Sequence, residues 1–114
     1  MATNDELIDV YVVELKRGTL MLSVLSQLNQ PKYGYSLVQD LEQKNAFIEP
    51  GTLYPLLRRL EKQGLLSSEW DTKENRPRKY YVLSDQGHEV YQRLKTEWKS
   101  LSEKLEGLFK EENS

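Results

Sequence analysis

Glu49-Pro50-Gly51-Thr52-Leu53-Tyr54-Pro55-Leu56-Leu57-Arg58-Arg59-Leu60-Glu61-Lys62-Gln63-Gly64 reads as a single helix with two chemically opposed faces. On a 3.6-residue period, Leu53, Leu56, Leu57 and Leu60 fall within about a third of the circumference, which is the stripe a helix needs to bury. Thr52, Tyr54, Pro55, Arg58, Arg59 and Lys62 share the opposite side. Pro50 suits the first helical position, where its missing N–H costs nothing. Gly64 suits the position just past the end, where a left-handed backbone is needed. The segment therefore carries its own start and stop signals.

Downstream the period changes. Ser67-Ser68-Glu69-Trp70-Asp71 and Lys79-Tyr80-Tyr81-Val82-Leu83 are rich in β-favouring residues and bracket a polar, basic loop containing Lys73, Arg76, Pro77 and Arg78, as two strands bracket a hairpin tip. Upstream, Leu7, Ile8, Val10, Tyr11, Val12, Val13 and Leu15, then Leu20, Leu22, Val24, Leu25 and Leu28, form an apolar helical region over about residues 5–29. Gly18 leaves open whether this is one helix or two, because a single glycine costs only about 1 kcal/mol inside a helix and Thr19 is able to cap a second one. A short helix over about 35–45 follows, with Leu37, Val38 and Leu41 inward. Two short helices, a turn, a basic helix and a basic hairpin are the layout of a winged helix-turn-helix. The fold class expected is mainly α with a β-hairpin wing.

After Ser84, a natural helix cap, Val90, Leu94, Trp98, Leu101, Leu105 and Leu108 recur at coiled-coil spacing. The stripe is about 27 Å long at the rise of a helix, and a stripe that narrow at the end of a small domain needs a partner surface. A second copy about a twofold axis supplies one, with the N-terminal helix alongside. The organisation expected is a DNA-binding domain over 1–84 and a dimerisation helix over 85–114.

The totals bound the function. With 114 residues and no cysteine there is one small domain, no disulfide framework and no thiolate metal site. No apolar stretch approaches the roughly 20 residues that cross a bilayer, and Met1-Ala2-Thr3-Asn4-Asp5-Glu6 lacks the basic start of a signal peptide, so a cytoplasmic protein without membrane contact is expected. The net charge of −2 hides a local reversal. Residues 50–82 hold seven basic side chains against four acidic, while the flanking segments are both net acidic. Phosphate contacts are short-range at cellular salt, so this local patch matters more than the total. His88, the only histidine, has no cysteine or carboxylate cluster at ligand spacing, and the chain shows neither a nucleophile elbow nor a phosphate-cradling glycine loop. No cofactor and no enzymatic activity are expected.

Tyr33-Gly34-Tyr35, Gly51 through Glu61, Gly64-Leu65-Leu66, Arg76-Pro77-Arg78-Lys79-Tyr80-Tyr81 and Leu83-Ser84-Asp85-Gln86-Gly87 together resemble the PadR family of bacterial transcriptional regulators over nearly the whole chain. The resemblance implies a homodimeric winged-helix repressor that dimerises through its C-terminal helix. The single helix there resembles the family's short subfamily. Within it, Trp98 falls where a lactococcal multidrug-sensing regulator has a tryptophan lining a pore between subunits. Lys95 and Ser102 stand where that pore has a phenylalanine and an aspartate, two departures that leave the drug spectrum untransferred.

The expected function is a repressor gripping palindromic double-stranded DNA, with half-sites about 34 Å or a multiple apart. Arg58 offers a bidentate fork to guanine, Thr52 and Tyr54 sit near the helix start, and Arg59 and Lys62 extend the basic face. Lys73, Arg76, Arg78 and Lys79 would lie over phosphates or enter a minor groove. Tyr35 either donates to a phosphate or belongs to the core. Trp98 either fills the dimer core or sandwiches a flat aromatic inducer with its twofold mate, Val12 walling the gap. Trp70 and the Tyr80-Tyr81 pair are expected to pack within the hairpin. The alternatives are a winged-helix protein-interaction module, or a DNA-binding repressor with no small-molecule ligand.

Overall fold

The structure, a computed structural model, describes residues 1–73 and 75–112. Residues 74, 113 and 114, one from the expected hairpin loop and two from the expected dimerisation segment, lie outside that description. The elements are α1 (Asn4–Arg17), α2 (Leu20–Ser26), β1 (Lys32–Tyr33), α3 (Gly34–Gln43), α4 (Pro50–Lys62), β2 (Leu66–Asp71), β3 (Arg78–Leu83) and α5 (Asp85–Glu111).

The N-terminal helical region divides in two at Gly18-Thr19. Thr19 does not cap α2 with its side chain. Its hydroxyl instead donates to the Lys16 carbonyl at 2.9 Å, closing the last turn of α1, while its own carbonyl accepts from Ser23 N–H at 3.1 Å to start α2. The connection from α3 to α4 turns on Asn45, whose φ of 60° is left-handed. Ala46 N–H then reaches the Leu41 carbonyl at 2.8 Å and satisfies an orphan acceptor of the helix end.

Helix α4 begins on Pro50, and Gly64 beyond its end has φ 82°, as its sequence signals require. Leu53, Leu56, Leu57 and Leu60 are all buried. They meet Val24, Leu25 and Leu28 of the α2 segment, Leu37 and Leu41 of α3, Ile48, and the inward residues Leu66, Tyr81 and Leu83 of the sheet in one core. The sheet is antiparallel in the order β1-β3-β2, with Leu66 opposite Leu83, Ser68 opposite Tyr81 and Trp70 opposite Lys79. Because strand side chains alternate, these three pairs share the helix-facing side. Strand β1 is a third strand that the sequence did not announce; two residues, Lys32 and Tyr33, pair with Tyr81 and Tyr80 and anchor the wing to the start of α3.

Ser84 caps α5 by accepting from Gly87 N–H at 2.9 Å, and its own hydroxyl donates to the Gly64 carbonyl at 2.6 Å. The apolar stripe of α5 divides its work. Leu94, with Tyr91, packs onto the chain's own core, whereas Trp98, Leu101, Leu105 and Leu108 remain exposed. On α1, Leu7, Ile8, Val10, Tyr11, Val12, Val13 and Leu15 are exposed as well, and no residue of that helix is buried. Among the described residues, no helix is long and apolar enough to cross a membrane and no cluster of metal-ligating side chains is present.

Candidate nucleic-acid interface

Because α4 sinks its leucine face into the core, its polar face is turned outward. Thr52, Arg58, Arg59 and Lys62 are exposed and Tyr54 is half-buried. Beside this face stands the hairpin, and between the two lies a cleft of about 450 Å³ lined by Tyr54 and Arg58 of α4, Tyr33, Gly34 and Tyr35 at the start of α3, and Trp70, Pro77, Arg78, Lys79 and Tyr81 of the wing. Rings and cations alternate along its walls. The helix face and the wing are thus parts of one concave, basic, aromatic surface.

Two carboxylates brace the hairpin. The Tyr33 hydroxyl donates to Asp71 at 2.6 Å, and Lys73 N–H donates to the same carboxylate at 3.1 Å. These bonds, the tyrosine's first, keep the Asp71 carboxyl below the usual aspartate range. On the helix-facing side, Glu61 of α4 accepts from Ser68 of β2 and pairs with Lys79 of β3 at 2.9 Å. Its carboxyl is held below the usual glutamate range by the serine bond first and the lysine second, and Lys79 is raised in return.

Arg78 lies over the rings of Tyr33 at 5.4 Å and Tyr35 at 5.9 Å, and donates to the Tyr35 hydroxyl at 3.3 Å. Those two rings are themselves stacked, 6.1 Å apart and 8° from parallel. A guanidinium stacked on aromatic faces is held in one orientation, so Arg78 is aimed as well as charged.

Of the residues singled out from sequence, Tyr35, Tyr54, Arg58, Arg78 and Lys79 share the cleft, while Thr52 and Arg59 line a neighbouring hollow beside α1 and α2. Lys73 and Arg76 are exposed on the hairpin loop. Tyr35 belongs to the surface and not to the core, at 48% exposure. Lys79 faces α4 and its ammonium is occupied by Glu61, with the rings of Trp70 at 5.9 Å and Tyr81 at 5.3 Å beside it. Trp70 corrects the expectation of hairpin packing, being 62% exposed on the cleft wall. The signal was present in the alternation: Trp70 falls on the same side as Leu66 and Ser68, but past the part of the strand that the helices cover. Tyr81 is buried as expected, and Tyr80 is half-buried, donating to Glu69 at 3.0 Å. The residues assigned to a ligand stand elsewhere. Trp98 is exposed on α5 and Val12 on α1, the Lys95 ammonium lies 4.6 Å from the Tyr91 ring, and Ser102 is half-buried. None of them lines the cleft.

The model of the transcriptional regulator PadR-like family matches residues 21–93, well over half the chain. The chain belongs to the PadR-like family of transcriptional regulators. The matched span runs from α2 into α5, covering the core and the wing, and leaves out α1 and the exposed end of α5. A transcriptional regulator of Mycobacterium tuberculosis is 36% identical over 75 residues, spanning 65% of this chain and 70% of that protein. A PadR family regulator from Eggerthella lenta, known by its crystal structure, is 48% identical and superposes with a TM-score of 0.89 over 92% of this chain and 94% of that one. Bacillus subtilis PadR, crystallised in complex with operator DNA, shares the fold at 18% identity and a TM-score of 0.63, over 68% of this chain and 46% of that one. This PadR-like chain is therefore a transcriptional regulator and not an enzyme, and its fold is the family's winged helix.

Proposed function

We propose that the chain is a homodimeric repressor that grips operator DNA with α4 and the wing, and that a planar aromatic molecule bound at the dimer centre releases it. The observation that carries the DNA reading is the continuity of one cationic surface from Arg58 on α4, across the aromatic cleft, to Arg78 on the wing. A helix of this width fits a major groove, and a hairpin rooted beside it reaches the adjoining backbone or minor groove. Bacillus subtilis PadR, which shares the fold, was crystallised in complex with operator DNA, and this supports the DNA reading.

Two apolar surfaces support the dimer. Leu7, Ile8, Val10, Tyr11, Val12, Val13 and Leu15 on α1 and Trp98, Leu101, Leu105, Leu108 and Phe109 on α5 are all exposed, and apolar runs of this kind mark interaction surfaces. Paired about a twofold, they would bury each other and fix the distance between the two recognition helices. Trp98 lies on that stripe, half exposed, where it would face its mate. A flat ligand between the two rings gains about 0.5 to 1.5 kcal/mol per ring contact beyond area burial. A ligand that binds one subunit arrangement better shifts the population toward it, and the helices then no longer match the grooves.

A salt titration with a labelled duplex, chosen by the protein from a random pool, tests the DNA reading. Affinity should fall as a power of salt concentration, and Arg58→Ala should cost about 1–3 kcal/mol on that duplex. Affinity indifferent to salt would instead mark a protein-interaction module. For the ligand, quenching of Trp98 by a planar dye should loosen the duplex and vanish in Trp98→Ala.

A further inference from the structure

Glu61 is the one acidic residue of α4, and it stands one turn beyond Arg58 beside the cationic face. A carboxylate so placed repels phosphate and should weaken DNA binding, unless it does something that outweighs the repulsion. Its two oxygens are spent on different strands of the wing: one pairs with the Lys79 ammonium on β3 at 2.9 Å, the other accepts from the Ser68 hydroxyl on β2. The side chains of Lys79 and Glu61 are 27% and 30% exposed, so the pair is partly shielded from water and salt. The ammonium is further confined between the Trp70 and Tyr81 rings. One carboxylate therefore spans both strands of the hairpin from a helix that also shares the apolar core with the wing's Leu66, Tyr81 and Leu83.

We infer that Glu61 is a positioning residue of the DNA interface, a latch that fixes the angle of the wing to α4 and with it the spacing between Arg58 and Arg78. This rests on the DNA-binding reading given above. Arg58 lies three residues before Glu61 on α4, and Arg78 immediately precedes Lys79 on β3. Each latch residue is thus rigidly tied to one of the two arginines. A wing free to swing still attracts phosphate, but it loses the register that lets helix and wing contact one DNA sequence together. The latch trades charge for geometry. It cancels Lys79 as a phosphate contact and returns a fixed distance between two other cations.

Electrostatics and positioning predict opposite outcomes for Glu61→Gln. Removal of one negative charge and release of Lys79 should strengthen binding to any duplex if charge is all that matters. The latch requires that affinity for the duplex selected by the wild-type protein fall about tenfold, the size of one lost base contact, while affinity for a scrambled duplex of equal length holds or rises. Ser68→Ala alters no charge and removes the second strand's bond; it should cost about threefold on the selected duplex alone. This smaller change carries the test if Glu61→Gln does not fold. Parallel gains on both duplexes in Glu61→Gln, or an unchanged ratio of the two affinities in Ser68→Ala, overturn the latch while the interface stands. A wild-type protein with no salt-dependent affinity for DNA overturns the interface, and the latch with it.

Discussion

The Tyr33 hydroxyl donates to the Asp71 carboxylate at 2.6 Å, joining the residue that opens α3 to the last residue of β2, thirty-eight positions away. Asp71 stands opposite Arg78 in the hairpin, and Arg78 lies over the ring of the same tyrosine. Tyr33→Phe keeps the ring under the guanidinium and deletes only the donor. Because that donor is the main cause of the depressed Asp71 carboxyl, the variant should titrate closer to the ordinary 3.8 of an aspartate than the wild type does. Carbon-detected NMR of the Asp71 carboxyl reads this directly. An identical titration in both proteins would mean that the bond is not formed in solution.

A second prediction separates two glycines. A Cβ on Gly87 would stand 2.0 Å from the Leu65 carbonyl oxygen and 3.0 Å from its carbon. Both are backbone atoms at the buried junction of the wing and α5, so they have nowhere to yield. Gly87→Ala should cost about 3 kcal/mol or more in urea unfolding, as forced overlaps in a packed core do. A Cβ on Gly18 meets nothing within 4 Å, and its backbone (φ −70°, ψ −17°) is open to any residue. Gly18→Ala should therefore stabilise by about 0.4–1 kcal/mol through the unfolded chain alone. If both substitutions shift the midpoint alike, the packing of α5 against Leu65 is wrong.

Much of this architecture was legible in the sequence wherever one physical signal acted alone. The leucine stripe of α4, its proline start and glycine stop, and the serine cap of α5 each depend on neighbours within a few residues, so a reading along the chain finds them. The two strands of the wing were legible to within a residue at their starts. What escaped depends on partners distant in sequence. Strand β1 is only Lys32 and Tyr33, and nothing in two residues announces pairing with Tyr81 and Tyr80. The charge of Lys79 was visible along the chain, but its pairing with Glu61, eighteen residues earlier, was not. Trp70 looked like packing because tryptophans usually are; its exposure follows from where the helices stop covering the strand.

The proposed dimer offers a third prediction. Leu101 and Leu105 are 58% and 44% exposed, on the part of α5 that touches none of the chain's buried core. Charging them should not damage a single copy but should drive two copies apart. The double variant Leu101→Glu, Leu105→Glu should sediment as a monomer at micromolar concentration with the helix content of the wild type by circular dichroism. Operator affinity should drop by about 100-fold or more, because the second half-site is no longer delivered at high effective concentration. A variant that remains dimeric would move the interface onto α1 alone.

Acid should weaken the wing before it weakens the core. Glu61, Asp71 and Asp40 all have carboxyls lowered by their partners, Asp40 chiefly by the 2.7 Å bond from Lys32 that ties β1 to α3. A carboxyl whose folded value lies below its unfolded one binds fewer protons in the native state. Its stabilisation is complete above the unfolded value, 4.5 for the glutamate and 3.8 for the aspartates, and drains away as pH falls through the lowered folded value. Unfolding free energy measured in urea should therefore be flat from pH 7 to about 5 and decline toward pH 3. Glu61→Gln and Asp40→Asn carry no titrating carboxyl at these positions, so each should start lower at neutral pH and decline less steeply. All three sites surround the sheet, so in the wild type the Trp70 signal, isolated in a Trp98→Phe background, should respond at a higher pH than loss of helical circular dichroism. Coincident responses would show that wing and helices unfold as one unit and that the carboxylates do not hold the wing separately.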